Sequence, residues 1–561
     1  MNDTPSPQST EIAEQSPGER APGFPLRTVR VRWTGFFLGL ILCTLVYAIM
    51  PDTVEHNAKL TAAVAVLMAV WWMTEALPIP ATSLVPLVAF PVFGAEVEMA
   101  DVGASYGNPI IFLFLGGFLI ALAMQRWNLH RRIALFTLSL MGNKPGPMIA
   151  GFMIATGFMS MWVSNTATAV MMLPIGISVL MIVAKVVGSA MVTGTTNTEA
   201  VPGDRGSADA ATASADGSST EHNTGNAGTP DGSSGDGGTG EVGIGHAVKS
   251  NFGTALMLGI AYAASIGSLG TIIGTPPNTF LVAYLKDNHD ISIGFGQWML
   301  VGVPLAVVMM AIAWFLLVKV LFKPEIDEIP GGRELIREEM AKLGPMSTGE
   351  KLVLGMFILA AVSWISIPLI FEDPPISDEG IAMVIGLLLF LIPGGAHRGV
   401  RLLDWETAEK LPWGVLLLFG GGLALSSQFS SSGLTEWIGE VSAGLGALPL
   451  ILIVAILAAL ILFLTELTSN TATAATFIPV VGGVALGLQL DPLILTIPVA
   501  LAATCAFMLP VATPPNAVAY GSGYVTIGQM VKGGIWLNLI GIVLITATVY
   551  LLAVPVFNIM L

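Results

Sequence analysis

Two short polar phrases each occur twice in an otherwise apolar chain, and their residues can bind ions without carrying a charge. Ser164-Asn165-Thr166 is followed by Ala-Thr-Ala, and Ser469-Asn470-Thr471 is followed by the same Ala-Thr-Ala. Downstream come Thr275-Pro276-Pro277-Asn278 and Thr513-Pro514-Pro515-Asn516, in the same order. Hydroxyl and amide side chains offer neutral donors and acceptors, so one amide can bridge a cation and an anion. The prolines remove N–H donors and disfavour helix in the residue before each, so the backbone must open at both. A helix that begins just after Asn165 or Asn470 presents unpaired N–H groups and the positive end of its dipole, which suits a carboxylate. Helices that end just before these residues, and the opened backbone at Gly274 and Ala512, present carbonyl oxygens that suit a bare Na+. No lysine or arginine lies in any of the four islands. A dianion bound there must be balanced by co-bound cations and helix ends, because an uncompensated buried charge is strongly destabilising. Two Na+ with a dianion move no net charge; a third would draw on the membrane potential at about 2.3 kcal/mol per 100 mV.

Serine and threonine in membrane helices often bond only their own backbone. The duplication of both phrases, in one order, is what argues for a shared site here. Unwound backbone at membrane depth is tolerated only where it is buried in protein or lines a cavity.

The elements that must hold these islands are membrane helices. Of 561 residues 54% are hydrophobic and only 11% charged, which excludes an ordinary soluble globule and predicts an all-α polytopic protein in a lipid bilayer. The first 26 residues lack an apolar signal-peptide core and read as a disordered tail. The net charge of -15 sits in that tail and in the loops, chiefly a Gly-, Ser-, Thr- and Asp-rich insertion at about 190–245 that is too polar to fold. The expected organisation is a tail at 1–32, spans one to four at 33–145, a re-entrant hairpin at 146–188 and the acidic insertion at 189–248. Spans five and six follow at 249–323, a connecting segment at 324–349, spans seven to nine at 350–446, a second hairpin at 447–490, and spans ten and eleven at 491–561. Arg27, Arg30 and Arg32, and the loop with Arg126, His130, Arg131 and Arg132, place the N-terminus in the cytoplasm and the C-terminus outside. Five crossings separate the two Asn-containing tips, so the second copy is inverted relative to the first, the arrangement of secondary transporters.

Other chemistry is not supported by the residues present. Cys43 and Cys505 lie in apolar segments, and the six histidines lack ligand spacing. Glu75 and Glu466 are the notable acids in apolar surroundings, each open to a functional or a capping role. Without a nucleophile–base pair, a metal-ligand cluster or a phosphate-binding loop, the chain does not read as an enzyme, and nucleic acid is not an expected partner.

With Trp72-Met73-Thr74-Glu75-Ala76-Leu77-Pro78, the paired Ser-Asn-Thr and Thr-Pro-Pro-Asn phrases resemble the divalent anion/sodium symporter family of dicarboxylate, citrate and sulfate cotransporters. The resemblance covers about 33–556 except the insertion. It implies eleven transmembrane helices plus two re-entrant hairpins, a homodimer, and an elevator mechanism in which spans one to four and seven to nine are the fixed scaffold. By motif position it implies one Na+ on Ser160, Ser164, Asn165 and Gly274, and a second on Thr465, Thr468, Asn470 and Ala512. Substrate carboxylates would meet Asn165, Thr166, Thr275, Asn470, Thr471 and Thr513, with Pro514 beside them. Thr275 and Thr468 stand where serine or alanine also occur, and the long insertion is unusual. The expected function is sodium-coupled symport of C4-dicarboxylates such as succinate, malate or fumarate in the cell membrane. Alternatives are a sodium-independent dicarboxylate exchanger, a citrate or sulfate symporter, and, more distantly, a cation/proton antiporter or metalloid exporter.

Overall fold

The computed structural model describes residues 23–194, 250–329, 331–371 and 374–560, and among these the protein is helical throughout, with one isolated bridge between Pro393 and Arg401. The expected tail up to residue 22 and most of the expected insertion, 195–249, lie outside the described residues. Helix α1 runs Leu26–Ile49 and therefore starts before the expected 33. Pro25 caps it, and the arginines that follow are good helix formers, so they extend the helix rather than the tail. Then come α2 (His56–Thr74), a single turn (Ile79–Thr82), α3 (Val85–Phe93) and α4 (Pro109–Arg126). Within the expected spans one to four, the stretch 78–93 is thus a turn and a short helix, because Pro78, Pro80 and Pro86 interrupt it.

From α4 onward the chain repeats itself. In the first copy α4 is followed by α5 (Leu129–Ser139), α6 (Pro145–Ser160), α7 (Asn165–Gly194), α8 (Asn251–Ser268), α9 (Pro276–His289) and α10 (Phe295–Phe315). A surface helix α11 (Gly332–Leu343), then α12 (Thr348–Ile370) and α13 (Asp378–Leu391), intervene. The second copy runs α14 (Trp413–Ser431), α15 (Leu434–Ser442), α16 (Leu450–Thr465), α17 (Asn470–Gly487), α18 (Leu493–Thr504), α19 (Pro514–Gly521) and α20 (Ile527–Thr548). The correspondence extends to detail: α10 and α20 each pass into a short π-helix, Leu316–Leu321 and Val549–Ala553. Among the described residues eight helices are long and apolar enough to cross a membrane; of the helices beside the islands, α17 is one of the eight, whereas α16 and α18 are shorter.

Helix α8 forms the centre of the packing: all but one of its residues from Asn251 to Ser268 are buried. It contacts α6 through two glycines. A methyl group added at Gly267 would fall on the backbone of Gly157, 2.5 Å from Cα and 2.7 Å from C. Overpacking of this kind typically costs ~1–3 kcal/mol, so Gly267→Ala should lower the melting temperature in detergent, read by size exclusion after heating. An unchanged melting temperature would show that the two helices can separate. On the connecting side, Arg132 of α5 binds Glu350 of α12 at 2.9 Å and the carbonyl oxygens of Leu343 and Gly344, which ties α11 and α12 to the first copy.

Candidate functional site

All four islands meet at one cavity of about 920 Å³. Its lining includes Ser164, Asn165 and Thr166, then Gly274, Thr275 and Pro276, then Thr468, Ser469, Asn470 and Thr471, and finally Ala512 and Pro514. Helices α7 and α17 begin at Asn165 and Asn470, and α9 and α19 begin at Pro276 and Pro514, so four helix N-termini converge here. Four C-termini converge as well, since α6, α8, α16 and α18 end at Ser160, Ser268, Thr465 and Thr504. Positive dipole ends favour an anion and negative ends favour cations, so the backbone itself is prepared for both. The prolines at the start of α9 and α19 delete N–H groups, which leaves Asn165 and Asn470 at the donor-rich ends.

Of the residues expected to hold cations, Ser164, Asn165, Gly274, Thr468, Asn470 and Ala512 belong to the lining, whereas Ser160 and Thr465 lie behind it. Ser160 and Thr465 are fully buried, and each donates its hydroxyl to the broken helix beside it: Ser160 to the Ala264 carbonyl at 2.5 Å, Thr465 to the Ala503 carbonyl at 2.9 Å. Thr465 Oγ1 also lies 2.8 Å from Asn470 Oδ1. One hydroxyl proton faces two acceptors, and a cluster of oxygens with fewer protons than acceptors is the donor set of a hard cation. Ser164 accepts from the Ala167 amide at 3.3 Å, and Asn165 Oδ1 accepts from the Thr166 amide at 2.8 Å, fixing the start of α7. Thr468 donates to the Leu464 carbonyl at 3.0 Å and touches Thr473 Oγ1 at 2.7 Å. Thr275 Oγ1 reaches Thr504 Oγ1 at 3.4 Å, whereas the Thr513 hydroxyl accepts from the Asn516 amide at 3.3 Å and lies behind the lining.

Sequence reasoning treated the last residue of each Thr-Pro-Pro-Asn phrase as part of the break and gave it no role. Asn278 Nδ2 donates to the carbonyls of Thr271 at 2.9 Å and Leu269 at 3.3 Å; Asn516 Nδ2 donates to those of Leu509 and Ala506, both at 3.1 Å. Both side chains are fully buried, and they hold the opened backbone that carries Gly274 and Ala512. The signal was present in the duplication of Asn278 and Asn516 themselves. Glu466 is buried too, and it accepts from the amides of Phe507, Met508 and Leu509 and from Asn538. Its role is that of a cap on the second opened segment. Glu75 is exposed at the end of α2 and pairs with Arg32 at 3.5 Å.

The family described as the sodium:sulfate symporter transmembrane region matches residues 30–558. This chain belongs to that family. Among its relatives, the sodium-dependent dicarboxylate transporter SdcS of Staphylococcus saprophyticus is 39% identical over 535 residues, 94% of this chain and 93% of that one. SdcS of Staphylococcus aureus strain MRSA252 is 38% identical over 527 residues, 92% and 91% of the two chains. Among solved structures, the Alcanivorax borkumensis YdaH transporter aligns with 88% of this chain and 98% of its own, with a TM-score of 0.49 at 12% identity. As a member of the symporter family the chain is a multi-pass membrane transport protein and not an enzyme.

Proposed function

We propose that this protein is a sodium-coupled importer of C4-dicarboxylates, with two Na+ sites built on the two Ser-Asn-Thr phrases and the dianion held between them. The observation that carries the reading is the convergence of both phrases on one cavity, in a chain 39% identical to a sodium-dependent dicarboxylate transporter. Ser160, Ser164, Asn165 and Gly274 hold one cation, and Thr465, Thr468, Asn470 and Ala512 the other. Asn165, Thr166, Thr275, Asn470 and Thr471, with Pro514, face the substrate, and Thr513, expected among them, instead caps α19 behind the lining. Helices α6–α7 and α16–α17 are the two re-entrant hairpins among eleven spans, and they move with α8–α10 and α18–α20 against a dimeric scaffold.

A one-sided opening supports this elevator reading. The cavity is lined by the second half of α4, from Phe114 to Gln125, and not by its start. On the side of that start, polar contacts join the scaffold spans to the moving group: Asn108 to Asp287 at 2.6 Å, the Phe295 amide to Asp378 at 3.0 Å, Lys286 to Glu379 at 3.9 Å, and Asn288 to Ser426 at 3.1 Å and Ser430 at 2.7 Å. The cavity is therefore open toward the Arg126 end of α4, the cytoplasmic side in a cell membrane with the N-terminus inside and the C-terminus outside.

Uptake of labelled succinate into liposomes containing the purified protein tests the proposal. An inward sodium gradient should drive accumulation, and replacing sodium by potassium or choline should abolish it. Equal uptake with and without sodium into succinate-loaded liposomes would make the protein an exchanger and the cation sites structural.

A further inference from the structure

The islands contain no cation, yet the cavity they line reaches three cationic side chains from outside them. Arg27 and Arg32 come from the first turns of α1, and Lys410 from the loop that leads into α14. Arg27 and Lys410 are exposed, and among the described residues neither is ion-paired. Arg32 is engaged differently: its guanidinium lies 3.5 Å from Glu75 and 4.5 Å from the centre of the Phe24 ring. Glu75 closes α2 in the left-handed conformation, φ 47°, which fixes it at the same opening.

We propose that Arg27 and Lys410 form a waiting site for the dianion at the open cytoplasmic mouth of the cavity, where it pauses on release and is recaptured when the carrier runs in reverse, with Glu75 withholding Arg32 from it. The inference rests on the dicarboxylate reading given above. A site balanced only by co-bound Na+ and helix ends loses its hold on a dianion as soon as the sodium leaves. Two unpaired cations on the same aqueous path raise the local concentration of dianion and speed its encounter with the islands, an effect that falls with ionic strength. Because both side chains are exposed, the expected gain is modest and kinetic. Among the described residues Glu75 carries the one negative charge in the lining, so removing it should strengthen the pull by releasing Arg32.

The test compares labelled succinate uptake in inside-out and right-side-out membrane vesicles, at fixed sodium and at low and high ionic strength. The double variant R27Q/K410Q should raise the half-saturation concentration about three- to tenfold at low ionic strength, in inside-out vesicles only, and the difference should vanish at high salt. E75Q should shift it the opposite way; should E75Q not fold, the double variant stands alone. Repeating the measurement in liposomes of zwitterionic lipid separates a substrate effect from binding of an anionic lipid headgroup. Equal shifts in both orientations, no shift, or an effect that disappears without anionic lipid would each overturn the waiting site. A wild-type protein with no sodium-dependent succinate uptake would overturn the dicarboxylate reading, and the waiting site with it.

Discussion

Asn470→Ala abolishes sodium-dependent succinate uptake, and Asn165→Ala does the same, while both variants remain folded. Each asparagine is the first residue of its helix, half-buried, with its side chain at the meeting point of cation and anion. Asn470 Oδ1 lies within 2.8 Å of Thr465 Oγ1, which in turn lies 2.9 Å from the Ala503 carbonyl, so loss of the amide removes one oxygen from a three-oxygen cluster. A hydrogen bond or ligand contact to a charged group is worth ~1.5–3 kcal/mol, which corresponds to roughly a 10- to 150-fold loss of affinity per contact. Because the same amide serves both ions, the half-saturation concentrations for Na+ and succinate should rise together. A variant that loses succinate binding but keeps wild-type sodium binding would separate the two roles, and full uptake by either variant would refute the site. Folding is expected to survive because the principal anchors of the opened backbone are Asn278 and Asn516, not Asn165 or Asn470.

Those anchors show where sequence reading succeeded and where it stopped. The breaks were legible because proline chemistry is local: Thr275-Pro276-Pro277 and Thr513-Pro514-Pro515 had to interrupt a helix, and α9 and α19 begin at Pro276 and Pro514. Convergence of the islands was inferable from the duplication. The start of α1 at Leu26 was not, since a basic stretch reads equally well as tail or helix until its packing on α2 is known. Thr513 faces away from the cavity lining for a reason that only geometry supplies: its hydroxyl caps the helix it precedes. Arg27 and Lys410 lie almost four hundred residues apart in sequence, and no local pattern connects them to the islands.

Glu466 is the case in which the repeat itself conceals the residue, and it yields the largest expected effect on stability. Its counterpart five residues before Asn165 plus one is Met161, whose carbonyl oxygen accepts from the Thr271 hydroxyl. The two opened segments differ in length: seven residues separate Ser268 from Pro276, and nine separate Thr504 from Pro514. The longer segment leaves additional N–H groups without helical partners, and a buried donor without a partner is costly. Glu466 supplies the missing acceptors, binding the amides of Phe507 at 2.7 Å, Met508 at 2.9 Å and Leu509 at 3.1 Å, and Asn538 Nδ2 of α20 at 2.6 Å. Four donors and no acceptor face it, a set that a carboxylate can satisfy and an amide cannot. Glu466→Gln turns one acceptor into a donor and strands at least one buried N–H, so the variant should lose ~1–3 kcal/mol for each group stranded. The segment it frees carries Ala512, so the sodium half-saturation concentration should rise as well. Asn538→Ala removes a single donor and leaves the three amides bound, and should lower the melting temperature by less. If E466Q melts with the wild type, the carboxylate does not hold the second break, and the added length of that segment is accommodated by its own backbone.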